Sequence, residues 1–343
     1  MRRKIIAIPK GIHIGFKPPQ GWDSNIHMHY WGTQPNDIET TWPGIKMDNS
    51  GNGFFRGFLL GQYSAHIVFS DGRHHKTPDL FRNKNGWFIE NQWWDYDPGI
   101  LSQFTFPGGK QKALVMSFDD AGTQDRRLVK LLNQNNIKGT FHLNSDRLGD
   151  GLDYYLSSSE VQELFNGHEV SAHTIGHPSL ANQHTEFIKY HVGHDRYLLE
   201  QLTGKKVRGM SYPFGEYDEN VLRLLPGLGI EYARTVQDTM NFALPHDFLT
   251  WHPTSHHLNP KIFDLGKEFI SANPKELSVF FIWGHSWELD NGKWDFMSDF
   301  CNMIGGKSDI WYAGALDIKR HIDAVSNLVY LEDKVFNPLK NND

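Results

Sequence analysis

Two short stretches hold the side chains best suited to chemistry. The first is Ser117-Phe118-Asp119-Asp120-Ala121-Gly122. Two adjacent carboxylates do not both ionise cheaply unless a cation joins them or they take separate roles. The second is His173-Thr174-Ile175-Gly176-His177. A spacing of four can put two imidazoles on one face of a turn. One added carboxylate makes a His-His-Asp set with open positions, suited to a catalytic divalent metal. Each stretch also has a bland reading. The first alone fits a polar turn with a helix-capping Asp. The second alone is weak in a chain with 19 histidines. His184, His191, His194 and the pair His256-His257 read as bystanders with helix-surface or capping roles. Together, the two stretches point to one site.

The elements that must position them alternate. From Lys112 onward, apolar runs that read as buried strands are separated by amphipathic helical patterns, the signal for α/β architecture. Expected strands are 113–118, 137–143, 169–172, 207–212, 231–234, 248–251, 277–283 and 310–313. Helices are expected between them, including 124–136 with Thr123 as N-cap and a long one over 184–202. Ser157-Ser158-Ser159-Glu160 reads as a capping box. Roughly seven strand–helix units fit a (β/α) barrel, whose sites lie at the C-terminal ends of strands. The candidates fall there: Asp119 and Asp120, then His142 and Asn144, then His173 and His177. Tyr212-Pro213-Phe214-Gly215 and His285 follow later strands. Trp287, Glu288 and Asp290 lie in the loop after His285 and read as an ordinary loop or a sugar subsite.

Ahead of the barrel the pattern differs. Short strands recur between turn signals, at 5–8, 12–16, 26–31, 53–60, 64–69 and 86–90, which predicts a small all-β sandwich. Phe54, Phe55 and Phe58 are expected inside it. Tyr30, Trp31 and Trp42 lie near strand ends and loops, where they serve either packing or flat sugar-binding platforms. The predicted layout is a sandwich over 1–97, a Pro/Gly linker over 98–110, a barrel over 111–330 and a tail over 331–343.

Composition bounds the function. A net charge of −6 gives no electrostatic footprint for nucleic acid. The single Cys301 excludes an intramolecular disulfide framework or a thiolate metal cluster. No stretch approaches transmembrane length. The apolar run after the basic N-terminus is too short for a secretory h-region, so the sequence reads as cytoplasmic by default, or as exported if a signal has been removed.

The segment from about 112 to 290 resembles the polysaccharide deacetylases, the NodB-homology domain of carbohydrate esterase family 4. The resemblance rests on Ser117–Gly122, on Ser171-Ala172-His173-Thr174-Ile175-Gly176-His177-Pro178, on Ser211-Tyr212-Pro213-Phe214-Gly215 and on Phe281-Ile282-Trp283-Gly284-His285. It implies a distorted (β/α)7 barrel and a metal-dependent N- or O-deacetylase of polysaccharide or oligosaccharide. By position, Asp120, His173 and His177 would bind the metal, zinc first, with cobalt, nickel or manganese as alternatives. Asp119 would be the general base and His285 the general acid. The backbone N–H near Phe214 would hold the oxyanion, with Tyr212, Asn144, Arg208 and Trp251 lining the substrate side. Ser211 stands where the family usually carries an arginine, which leaves Arg208 to brace Asp119 or to act as a surface charge. Asp247 and Trp251 are the nearest counterpart of the family's Asp–Trp motif.

The first 95 residues resemble the starch-binding modules of families 25 and 26, through His29-Tyr30-Trp31, Trp42-Pro43-Gly44-Ile45-Lys46-Met47, Ile67–Gly72 and Thr77-Pro78-Asp79-Leu80. This implies an α-glucan partner bound by Tyr30, Trp31 and Trp42. Two other readings stay open: a barrel that binds carbohydrate without turnover, and a hydrolase of small non-sugar amides.

Overall fold

The structure is a computed structural model and describes residues 10–51, 53–149, 153–326, 329–331 and 334–336. The strand expected at 5–8 and the end of the expected tail, from 337, lie outside the described residues. The chain forms two compact units, one of residues up to Leu101 together with those from Asp323 on, the other Ser102–Ile322.

The first unit is all-β. Its strands are β1 (Gly11–Lys17), β2 (His27–Gln34), β3 (Ile45–Lys46), β4 (Asp48–Gly51), β5 (Phe54–Leu60), β6 (Ser64–Ser70), β7 (Leu80–Arg82), β8 (Gly86–Ile89) and β9 (Gln92–Trp94). They form one sheet in the order β4-β5-β1-β8-β9 and another in the order β3-β2-β6-β7. Alternation along β1 and β2 sends Ile12, Ile14, Phe16 and Met28 into a shared core with Phe55, Leu59, Ile67 and Phe69. Phe16 and Phe69 stack there with centroids 4.2 Å apart. Phe54 and Phe55 are buried as expected, but Phe58 is only half-buried and packs its ring against His13.

The second unit is the α/β domain. Its strands are β10 (Lys112–Asp119), β11 (Gly139–Leu143), β12 (Glu169–Ala172), β13 (Gly209–Ser211), β14 (Tyr232–Arg234), β15 (Ser255–His256), β16 (Ser278–His285) and β17 (Ile310–Tyr312). They make one parallel sheet in the order β14-β13-β12-β11-β10-β16-β15, with β17 paired to the start of β10. This is the distorted (β/α)7 barrel. Every residue of β10 and β11 is buried, as in parallel strands covered on both faces. Because the strands are parallel, Asp119, His142, Ser211, Arg234 and His285 all come to one rim.

Three local expectations change. Residues 248–251 are not a strand. The Asp247 carboxylate accepts the Leu249 N–H at 2.7 Å and draws Phe248–Thr250 into a 3-10 turn, and β15 supplies the strand instead. The long helix over 184–202 runs through a π turn at Lys189–His194 before continuing as Asp195–Thr203. The helix after β10 begins at Asp125 with Gln124, not Thr123, at its cap position. The Ser157–Glu160 capping box is present. Among the described residues, no helix is long and apolar enough to cross a membrane.

Candidate active site

The turn after β10 is conformationally unusual. Asp120 has φ +82° and Ala121 φ +56°, so the chain bends in the left-handed region and both carboxylates stay at the rim. Thr174, His177 and Phe214 share that region, with φ of +71°, +54° and +59°. Such backbone costs about 1–3 kcal/mol per residue and persists where the surroundings over-determine it.

Those surroundings are specific. Buried Asn144 donates through Nδ2 to the carbonyls of His173 (2.6 Å) and Thr174 (2.8 Å). Asp195, which follows the π turn, accepts from the backbone N–H of Ser145 (2.8 Å) and of His173 (3.0 Å). Asp146 accepts from Gly176 N–H at 2.9 Å. The loops after β11 and β12 are thus knitted together, and Asn144 is a scaffold of the histidine loop rather than a substrate contact.

His173 Nε2 and His177 Nε2 lie 3.9 and 3.8 Å from Asp120 Oδ1. The three ligand atoms fall within 4.8 Å of one another. His173 Nδ1 faces the Ser211 hydroxyl at 2.7 Å and its carbonyl at 3.0 Å, which leaves Nε2 buried with no hydrogen-bond partner among the described residues. Burial pushes both histidines down, so the rings are neutral at neutral pH despite the nearby carboxylates. Two neutral imidazoles and one carboxylate around an orphaned nitrogen fit a divalent cation. Arg147 Nη1 donates to Asp120 Oδ1 at 2.9 Å, and Trp287 Nε1 donates to Oδ2 at 3.3 Å.

Asp119 is buried on the adjacent side. Its Oδ2 pairs with the guanidinium of Arg234, and its Oδ1 accepts from Ser211 Oγ at 3.2 Å. His142 Nδ1 lies 3.3 Å from Oδ1. Burial alone would raise this carboxyl, but Arg234, with His173 and His142, holds it well below the usual range. Asp119 is therefore an anion at neutral pH. Arg234 is fully buried and stacks its guanidinium 4.9 Å from the Trp283 ring centre.

His285 closes the far side, with Nε2 3.8 Å from Asp120 Oδ2. Burial lowers this ring, but a hydrogen bond to Glu288 and the charges of Asp119 and Asp120 raise it on balance. Exposed Phe214 packs edge-on to His177, centroids 4.7 Å apart. Trp287, half in solvent, lies 5.1 Å from the His285 ring.

Four sequence expectations are corrected here. Arg208 precedes β13 and therefore sits at the opposite end of the sheet, where it pairs with Glu200 at 3.0 Å; it does not reach Asp119. Tyr212 is buried, and its hydroxyl donates to the Leu249 carbonyl at 2.7 Å, which makes it a structural ring. Trp251 is also core, edge-on to Tyr232, Phe248 and Phe281. His256 and His257 are not bystanders, since both meet the Glu288 carboxylate. Arg234 and Arg147 were missed, although Arg234 ends a strand at the functional rim, which is the signal that would have found it. Glu288, expected in an ordinary loop or a sugar subsite, instead meets His256, His257 and His285.

In the first unit, Tyr30 packs against the sandwich core. Trp31 instead stacks with His29 (5.4 Å) and His66 (5.5 Å), and Trp42 lies edge-on to His29 (5.7 Å) with half of its surface exposed. His29, Trp31 and Trp42 form an outward aromatic group that does not include Tyr30.

Comparison with known proteins agrees with this architecture. The family model described as polysaccharide deacetylase matches residues 107–233, and that of starch-binding module 26 matches residues 14–82. The first match falls within the α/β unit and the second within the all-β unit. It is 28% identical over 144 residues to a chitin deacetylase of a Pestalotiopsis species, covering 42% of this chain and 46% of that protein. It is 29% identical over 124 residues to a peptidoglycan-N-acetylglucosamine deacetylase of Bacillus cereus, covering 35% and 43%. The chain thus spans less than half the length of these two relatives. A solved structure from Mycobacterium smegmatis assigned to the polysaccharide deacetylases shares the fold, with 18% identity, a TM-score of 0.50, and coverage of 64% of this chain and 93% of that one.

Proposed function

We propose that the α/β domain is a metal-dependent deacetylase that removes N- or O-acetyl groups from a polysaccharide or oligosaccharide. The observation that carries this reading is the convergence of Asp120, His173 and His177 between a buried anionic Asp119 and His285. Asp120, His173 and His177 would hold a divalent ion, zinc being the best match to this donor set. Such an ion supplies Lewis acidity, which polarises an acetyl carbonyl and acidifies water.

The chain's own residues do the rest. Asp119, fixed by Arg234 and Ser211, accepts a proton from the attacking water. The backbone N–H of Phe214 donates to the oxygen that becomes negative. His285 delivers a proton from Nε2 to the departing amine or hydroxyl. Phe214 and Trp287 flank the site with exposed rings that suit the apolar face of a sugar.

We assign glycan holding to residues 1–97, with the linker at 98–110, catalysis at 111–330 and a tail at 331–343. In this reading Trp31, Trp42 and His29 contact an α-glucan. Acetate release from acetylated chitin, xylan and peptidoglycan fragments, with and without chelator, tests the activity. Chelator-sensitive release from any of them supports it.

A further inference from the structure

We propose that Glu288 is the positioning residue for His285, held in place by His256 and His257. One carboxylate oxygen, Oε2, gathers the group. His257 Nε2 lies 2.7 Å from it, His256 Nε2 3.1 Å and His285 Nδ1 3.2 Å. The His285 backbone N–H donates to the same oxygen at 3.2 Å. With Nδ1 taken up by the carboxylate, His285 has only Nε2 to turn towards Asp120. The inference rests on the reading of His285 as proton donor.

The cluster is built into the fold. β15 lies in register with β16, so that His256 stands beside Trp283. His257 is fully buried against the backbone of Gly284, and an added Cβ at Gly284 would collide with its ring. Glycine at that position is what admits His257. Asp238 locks the neighbouring pieces: its Oδ1 accepts from Trp283 Nε1 at 2.9 Å and its Oδ2 from His256 N–H at 3.0 Å. The 3-10 turn Ser286–Asp290 then carries Glu288 back over the end of β16.

The chemistry needs this arrangement most when the leaving group is poor. The proton passes from His285 Nε2 to the leaving nitrogen as the carbon–nitrogen bond breaks, and the neutral ring keeps its Nδ1–H on Glu288. An amine cannot depart without that proton, whereas a nitrophenolate can. Loss of Glu288 should therefore discriminate between leaving groups, which loss of metal or of Asp119 would not do.

The test uses the metal-loaded full chain and the variant Glu288→Gln, which keeps shape and removes the charge. Substrates are an N-acetylated chitooligosaccharide and 4-nitrophenyl acetate. The expected result is a fall in kcat of roughly 10- to 100-fold on the amide, at unchanged KM and metal content, with less than about a threefold fall on the ester. Equal falls on both substrates, or a change confined to KM, would overturn the proposal. So would two bound ions per chain with one lost in the variant, since His256, His285 and Glu288 would then be a metal site. If Glu288→Gln fails to fold, His256→Gln on the rim should show the same leaving-group pattern. Nitrogen-15 shifts of His285 provide a readout independent of turnover: Nδ1 is protonated in the parent chain. A parent ring protonated only at Nε2 overturns the placement even in an active enzyme. A parent chain with the expected shifts that cleaves neither substrate overturns the deacetylase reading, and His285's role with it.

Discussion

Arg234 stands directly across from Ser211 in the β13–β14 register and carries its guanidinium to Asp119. Ser211 in turn donates its hydroxyl to Asp119, and the same oxygen lies 2.7 Å from His173 Nδ1. A small residue on one strand leaves space that a long cation on the next strand fills. The departure from the family pattern at Ser211 is therefore matched by a neighbouring strand, and Asp119 keeps a buried cationic partner.

This pairing gives the first prediction. Arg234→Ala strands a buried carboxylate and should cost about 3–5 kcal/mol of stability. Adding Asp119→Asn should restore part of that loss, because the uncompensated charge goes with it. Denaturant unfolding of the single and double variants measures both. A single-variant cost under about 1 kcal/mol would mean that the pair is open to solvent.

Arg147 and Trp287 each donate to one oxygen of Asp120 and so fix its carboxylate. Outer contacts of this kind are typically worth 10–100-fold in metal affinity. Arg147→Ala should therefore weaken metal binding by about that factor, read by calorimetric titration of the stripped protein with zinc. Unchanged or tighter binding would show that Arg147 competes with the ion rather than supporting it.

Asp125 is fully buried near the same rim, and burial pushes its carboxyl up to about 8. The unfolded chain releases that proton near the ordinary value of 3.8. Between those values the folded state binds the extra proton, so the contribution of Asp125 to stability falls as pH rises through the window. Asp125→Asn removes this loss. Its melting temperature relative to the parent should thus be more favourable at about pH 8 than at about pH 5. The same difference at both pH values would contradict the assignment.

In the all-β unit, Trp42→Ala and Trp31→Ala should each weaken binding to maltooligosaccharide by about 1–3 kcal/mol, the scale of burying one large apolar side chain. Tyr30→Ala should instead lower the melting temperature, because that ring packs on the core. Glucan titration together with thermal unfolding separates the two outcomes. Loss of binding confined to Tyr30→Ala would reverse the assignment.

The carboxylate pair and the histidine pair were legible because each is local: two neighbours at a strand end, and two rings four residues apart. The barrel was legible through its alternating apolar runs. Arg234 was not, because its partnership depends on which strand lies beside β13 and in what register. Arg208 drew attention by being close in sequence, but it precedes its strand, and in a parallel sheet that puts it at the wrong end. Tyr212 and Trp251 show the same limit, since an aromatic beside a motif can face either the groove or the core. His256 and His257 gain their place from Gly284 and Glu288, residues far from them in sequence but adjacent in the sheet.

The central claim is that Asp119 acts as a base beside a metal held by Asp120, His173 and His177. It is tested most directly by acetate release from an acetylated chitooligosaccharide, comparing the zinc-loaded chain, the chelated chain and Asp119→Asn. The account predicts release by the loaded chain, none after chelation, and a loss of at least about 100-fold in Asp119→Asn with zinc still bound at one ion per chain. Release that survives chelation, or an Asp119→Asn variant that keeps its rate, would contradict it.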